Sequence, residues 1–244
     1  MAVKVPSVVI DNGSYTCKVG LGCDDEPRIA ISSDPRDQSE IIGNELKDYN
    51  VKIKSGYSTS VLNFKHPIER GIITNSDEME KIWLHAFKEL KVAPAESSVL
   101  LTEAVFNSKD NREKMAEIVF EKFNTHALCI ADQALLSLFA SGRITGMSVN
   151  VGHGITQIVP VSRGSIIRDA AVQWEFGGQD MTDYLTRMLI QCGYSFDSHS
   201  QTETVCNIKE KCCYVAPDFE QELQTTASEK YKLPDKQVIS IGNE

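Results

Sequence analysis

The sequence predicts an α/β protein, on three observations. Short β-branched runs recur beside glycine turns, and apolar residues recur at helical spacing between them. The run, glycine turn and second run that open the chain also return after an offset of 139 residues. Elements follow in order. Val8-Val9-Ile10, the polar turn Asp11-Asn12-Gly13-Ser14 and the run through Cys17 and Val19 form a β-hairpin signal. Residues 32–63 are polar and irregular, with Pro35, Gly43 and Gly56 as breakers, and carry no helical period. From Asn75 a helix is predicted: Asn75 or Ser76 caps it, Asp77 and Glu78 fill its first turn, and Met79, Ile82, Trp83, Ala86, Phe87 and Leu90 line one face. A strand at 99–102, a helix over 111–123, a strand at 128–130 and a helix over 132–141 closed by Gly142 follow.

The second hairpin runs from Ser148 through Gly152-His153-Gly154 to Val161. Laid under the first, it sets Asn150 on Asp11, Gly152 on Gly13, His153 on Ser14 and Gln157 on Lys18. Two similar halves, each opening on a glycine turn, are therefore expected. Gly177-Gly178-Gln179-Asp180 then leads into a helix ending at Gly193, and a final helix is expected over 202–214.

Composition removes several function classes. The 244 residues carry 25 Lys+Arg against 34 Asp+Glu, a net charge of −9, so the chain lacks the basic footprint of a nucleic-acid binder. No apolar run approaches the roughly 18 residues of a membrane span, and the first residues lack a signal-peptide core, so a soluble intracellular protein is expected. Seven cysteines, an odd number without Cys-x-x-Cys spacing, argue against a disulfide framework or zinc site, and most are expected to be small buried hydrophobes.

Two glycine turns facing each other across a cleft can offer backbone N–H groups to a polyphosphate. From spacing alone, two ordinary hairpin turns account for the same pattern, since a lone glycine-rich turn is a frequent false positive. Asp11 can hold a metal through water and Lys18 can reach a phosphate oxygen; otherwise they are an Asx turn and a solvated strand lysine.

Several blocks resemble the actin family, in that family's order: Asp11-Asn12-Gly13-Ser14 with Cys17-Lys18, Pro67-Ile68-Glu69-Arg70-Gly71, Met79-Glu80-Lys81-Ile82-Trp83 and Leu100-Leu101-Thr102-Glu103-Ala104. Asn111-Arg112-Glu113-Lys114-Met115, Ser141-Gly142-Arg143, Lys209-Glu210-Lys211 with Tyr214-Val215-Ala216, and Ile241-Gly242-Asn243-Glu244 continue the likeness. The resemblance implies the two-lobed fold of actin, Hsp70 and sugar kinases, with residues 1–140 as the small lobe (insertion 33–65) and 141–244 as the first part of the large lobe. It implies ATP or ADP with Mg²⁺ or Ca²⁺ between the lobes. Asp11, Asn12, Gly13, Ser14, Tyr15 and Lys18 would form the first phosphate clamp, and Gly152, His153, Gly154 and Ile155 the second. Gln133 would position the attacking water, Asp11 would face the metal through water, Asp180 would lie at the ribose edge, and Lys209 and Glu210 would line the adenosine pocket.

The departures from the family bear on activity. Asn150 stands where actin has a metal-facing aspartate, His153 where the second clamp has an aspartate, Gln157 where a histidine assists the water, and Tyr15 where the first clamp has a glycine. An amide cannot act as a general base at neutral pH, so hydrolysis is expected to be lost or slow. The acidic N-terminal tail is absent, and residues 34–63 do not match the loop that enters the next filament subunit, so ordinary polymerisation is not expected. Actin-type chains continue beyond the 241–244 motif, so the large lobe is expected to be incomplete.

These observations favour an actin-like cytoskeletal or complex subunit, with actin, actin-related subunits or actin-binding proteins as partners and no membrane span or direct nucleic-acid contact. Its expected location is the cytoplasm and cytoskeleton. The alternatives are an active filament-forming ATPase and a nuclear actin-related subunit of a chromatin-remodelling complex. A sugar kinase fits less well, because the matched blocks include helices that line no active site.

Overall fold

The computed structural model describes residues 5–33, 67–196, 199–224, 228–233 and 236–242. The irregular segment and insertion expected near 32–65 lie, from residue 34 onward, outside the described residues. Two compact units form, Met1–Phe176 and Gly177–Glu244.

In the first unit, β1 (Ser7–Asp11), β2 (Thr16–Leu21), β3 (Ile29–Ser32), β6 (Ser98–Glu103) and β7 (Ala127–Asp132) make a sheet of order β3-β2-β1-β6-β7. β1 pairs antiparallel with β2 and parallel with β6, so it lies at the centre. A small hairpin, β4 (Ile68–Glu69) and β5 (Ile72–Ile73), precedes helix α1 (Ser76–Leu90). Asn75 caps that helix by accepting the Glu78 N–H at 3.2 Å. All six residues expected on its apolar face are buried, packed on Val8, Ile10, Val19, Val99 and Leu101 of the sheet.

The helix expected over 111–123 begins earlier, as α2 (Lys109–Glu117), because Ser108 Oγ accepts the Asn111 N–H at 3.1 Å. Its continuation, Ile118–Lys122, is a wide π turn, which keeps Ile118 and Val119 buried. Helix α3 (Gln133–Ala140) follows β7.

The second sheet centres on β9 (Thr156–Ser162), with β8 (Gly146–Val151) on one edge and β10 (Ser165–Ile166) and β11 (Val172–Trp174) on the other. Its register bears out the repeat: Asp11 pairs with Lys18 and Ile10 with Val19 in the first hairpin, as Asn150 pairs with Gln157 and Val149 with Ile158 in the second. Val159 and Val161 pack with Ala134 and Leu138 of α3. Met147, Val149 and Val151 alternate with these inward positions and are exposed.

The second unit holds α4 (Gly178–Gln191), α5 (His199–Cys212), α6 (Phe219–Leu223) and the hairpin β12 (Glu229–Lys232)–β13 (Val238–Ile241). Leu185, Leu189, Val205, Ile208, Ile239 and Ile241 form its core. The helix expected over 202–214 therefore starts three residues sooner and is not the last element. The cysteine expectation also fails: only Cys17 is buried, while Cys23, Cys129, Cys192 and Cys213 are exposed.

Candidate functional site

The first turn is built on β1 and β2. Alternation sends Ile10, Cys17 and Val19 into the core and leaves Asp11 and Lys18 as register partners on the opposite sheet face. Burial pushes the Cys17 thiol well above its usual range, with Asp11 adding to the effect, so Cys17 is an inert neutral core residue. Asn12 anchors the turn. Its N–H donates to Thr102 Oγ1 at 2.8 Å, its amide donates to Thr102 O at 2.9 Å, and its Oδ1 accepts from Trp83 Nε1 at 3.0 Å. Asp11 Oδ1 accepts from Thr102 Oγ1 at 2.7 Å and from Gln133 Nε2 at 3.0 Å. Gln133 Nε2 also donates to Asn12 O at 3.0 Å, so its NH₂ end is committed to the turn and its Oε1 is the end left to accept a hydrogen bond.

The second turn closes through the Gly152 N–H, which donates to Ile155 O at 2.8 Å. Beside it, Asn150 Oδ1 accepts from Ser148 Oγ at 3.3 Å. Gln157 is 2% exposed and donates from Nε2 to Gln173 Oε1 at 2.8 Å. The register sets Asn150, Gln157 and Gln173 in one row across the sheet, so Gln157 serves as a cross-strand tie.

Three contacts join the two turns. The tip of the β4–β5 hairpin lies between them: the Gly71 N–H donates to Ser14 Oγ at 3.2 Å, and Arg70 Nη1 donates to Gly154 O at 2.7 Å. Gly71 is at φ 77°, in the left-handed region that glycine adopts without strain, and its open side faces the Cδ1 methyl of Ile155. The third contact is a stack of the Tyr15 and His153 rings, with centroids 4.9 Å apart and planes at 28°. No role is expected for Arg70 from the sequence; Arg-Gly between Ile-Glu and Ile-Ile is the local hairpin signal.

A cavity of about 650 Å³ opens on both turns, lined by Asp11 to Ser14, Tyr15, Lys18, Gln133, Asn150 and Gly152 to Ile155. The N–H groups of Gly13, Ser14, Gly154 and Ile155 have no acceptor among the described residues, and the Lys18 ammonium makes no ion pair there. Such donors suit the oxygens of a phosphate chain. The metal donor set is thin. Among the described residues no three His, Cys, Asp or Glu side chains gather for an ion, so a divalent cation at Asp11 would depend on phosphate oxygens and water for its remaining ligands.

The other expected site residues belong to the second unit. Asp180 Oδ2 accepts the Gly177 N–H at 2.8 Å and so caps α4. Lys209 Nζ donates to Gly178 O and Thr182 Oγ1, both at 2.9 Å, while Glu210 Oε1 accepts from Cys206 Sγ at 3.7 Å.

A repeated strand–turn–strand unit, with a donor-lined cavity at its two turns, defines an α/β protein built on duplicated glycine-turn hairpins. A profile of the Actin family matches residues 2–244. The chain belongs to the actin family and has its α/β fold. No described helix is long and apolar enough to cross a membrane.

Proposed function

We propose that this actin-family chain is a nucleotide-binding cytoskeletal or complex subunit that hydrolyses ATP slowly or not at all. The observation that carries the binding reading is the set of four unpaired backbone N–H groups and Lys18 around one cavity. On this reading, residues 1–140 form the small lobe and 141–244 the first part of the large lobe. Asp11 to Tyr15 with Lys18 and Gly152 to Ile155 hold the phosphates. ATP or ADP would arrive with Mg²⁺ or Ca²⁺, the cation offsetting phosphate charge. Asp11 would orient a metal-bound water, and Gln133 Oε1 would accept from a water near the terminal phosphate. Weak hydrolysis is supported by Asn150, which carries no charge, and by Gln157, whose buried amide is neither a base nor turned to the cavity. Cytoplasmic and cytoskeletal residence, with actin-family subunits or actin-binding proteins as partners, belongs to the same proposal.

The test is phosphate release with nucleotide binding measured in parallel. Turnover well below that of an ordinary actin is expected, rising when Asn150→Asp is combined with Gln157→His. A wild-type rate equal to actin's would overturn the hydrolysis reading.

A further inference from the structure

We propose that the Tyr15–His153 stack makes the site selective for a nucleoside diphosphate over a triphosphate. The inference rests on the nucleotide-binding reading above and concerns how long a phosphate chain the two turns accept.

The turns are held close independently of any ligand. Arg70 Nη1 grips Gly154 O at 2.7 Å, and the Gly71 N–H holds Ser14 Oγ at 3.2 Å. A β-carbon at Gly154 would lie 3.3 Å from Ser14 Oγ and 3.4 Å from Arg70 Cα, so the turns already touch. Two rings stack within this clasp, one from each turn, at a centroid separation of 4.9 Å. Both rings line the cavity and occupy space that smaller side chains would leave open to a ligand.

The unpaired donors, the N–H groups of Gly13, Ser14, Gly154 and Ile155, lie on the same two turns. A chain of two phosphates can use them with the rings in place. On this proposal the third phosphoryl group, carrying three more oxygens and further charge, falls where the two rings stand and has to part the stack. Separating an aromatic pair forfeits enough free energy to lower affinity by roughly two- to tenfold.

The experiment is calorimetric titration of the full chain with ADP and with ATP, each with Mg²⁺, repeated on Tyr15→Phe and Tyr15→Ala. The proposal expects ADP to bind roughly two- to tenfold more tightly than ATP in the wild type. Tyr15→Phe, which keeps a ring, should retain the preference, and Tyr15→Ala should abolish it. Equal affinities in the wild type, or a preference that survives Tyr15→Ala, would overturn the selectivity while leaving nucleotide binding intact. No binding of either nucleotide would overturn both readings.

Discussion

Asp132 shows how one side chain can carry an unresolved cost. Its Oδ1 is buried with no hydrogen-bond partner among the described residues, and its Oδ2 lies 3.5 Å from Arg168 Nη2. Burial raises its pKa above 3.8, Arg168 opposes the rise, and the nearby Glu103 adds to it. A carboxyl whose folded pKa is raised binds its proton more readily in the native state. Its contribution is therefore most favourable below the unfolded pKa and is lost as pH climbs through the folded value. Asp132→Asn is expected to leave thermal stability unchanged or lower near pH 4 and to raise it at pH 7 relative to wild type. Melting curves across that range check it, and a variant that loses stability at pH 7 would contradict it. Glu103 differs: its carboxylate takes two bonds from Arg112, at 2.5 and 3.0 Å, and one from Asn107 at 2.9 Å. Glu103→Gln is expected to be destabilising by about 1.5–3 kcal/mol, the scale of charge-assisted hydrogen bonds, in denaturant unfolding.

At the scale of elements, α1 does two jobs. Its apolar face closes the core, and Trp83 reaches through to Asn12, linking the helix to the first turn. Trp83→Phe would leave Asn12 Oδ1 without that donor in a buried place and should cost about 1–3 kcal/mol. The Asn75→Ala cap deletion should cost about 1 kcal/mol. Chemical denaturation of each variant gives the comparison, and the Trp83 change alone should also weaken nucleotide binding, because Asn12 positions the turn.

This helix was legible in the sequence because its cap, first-turn acids and apolar spacing all agreed. The paired hairpins were legible for a similar reason: strand alternation and glycine turns are local patterns, and the offset of the repeat fixes the register. The hairpin of β12 and β13 was not, since Glu229-Lys230-Tyr231-Lys232 offers almost no apolar alternation. The site divides likewise. Asp11 stands out beside its glycine turn and Gln133 only through resemblance, whereas the work of Thr102 and Arg70 depends on partners 91 and 84 residues away and leaves no mark in local spacing.

Across the whole molecule, surface chemistry is uneven. On the sheet around β9, Met147 is 64% exposed and Trp174 is 55% exposed, with Val149, Val151 and Val172 nearby in the paired rows. Contiguous apolar surface of this kind drives self-association in water. The isolated 244-residue chain is expected to scatter light on warming before its cooperative unfolding. Met147→Lys with Trp174→Gln should delay that onset while shifting stability by no more than about 0.5 kcal/mol, as is usual for surface changes. An unchanged onset of scattering would show that association begins elsewhere.

The central place of β1 has a consequence for synthesis on the ribosome. Its β2 neighbour emerges at once, but its parallel neighbour β6 ends only at Glu103. At ordinary elongation speeds, roughly 4 to 14 s separate the completion of β3 from that of β6. Throughout that interval the nascent meander carries an open edge in the middle of its future sheet. Anything that stalls translation there lengthens the time during which neighbouring nascent chains can pair with β1 instead.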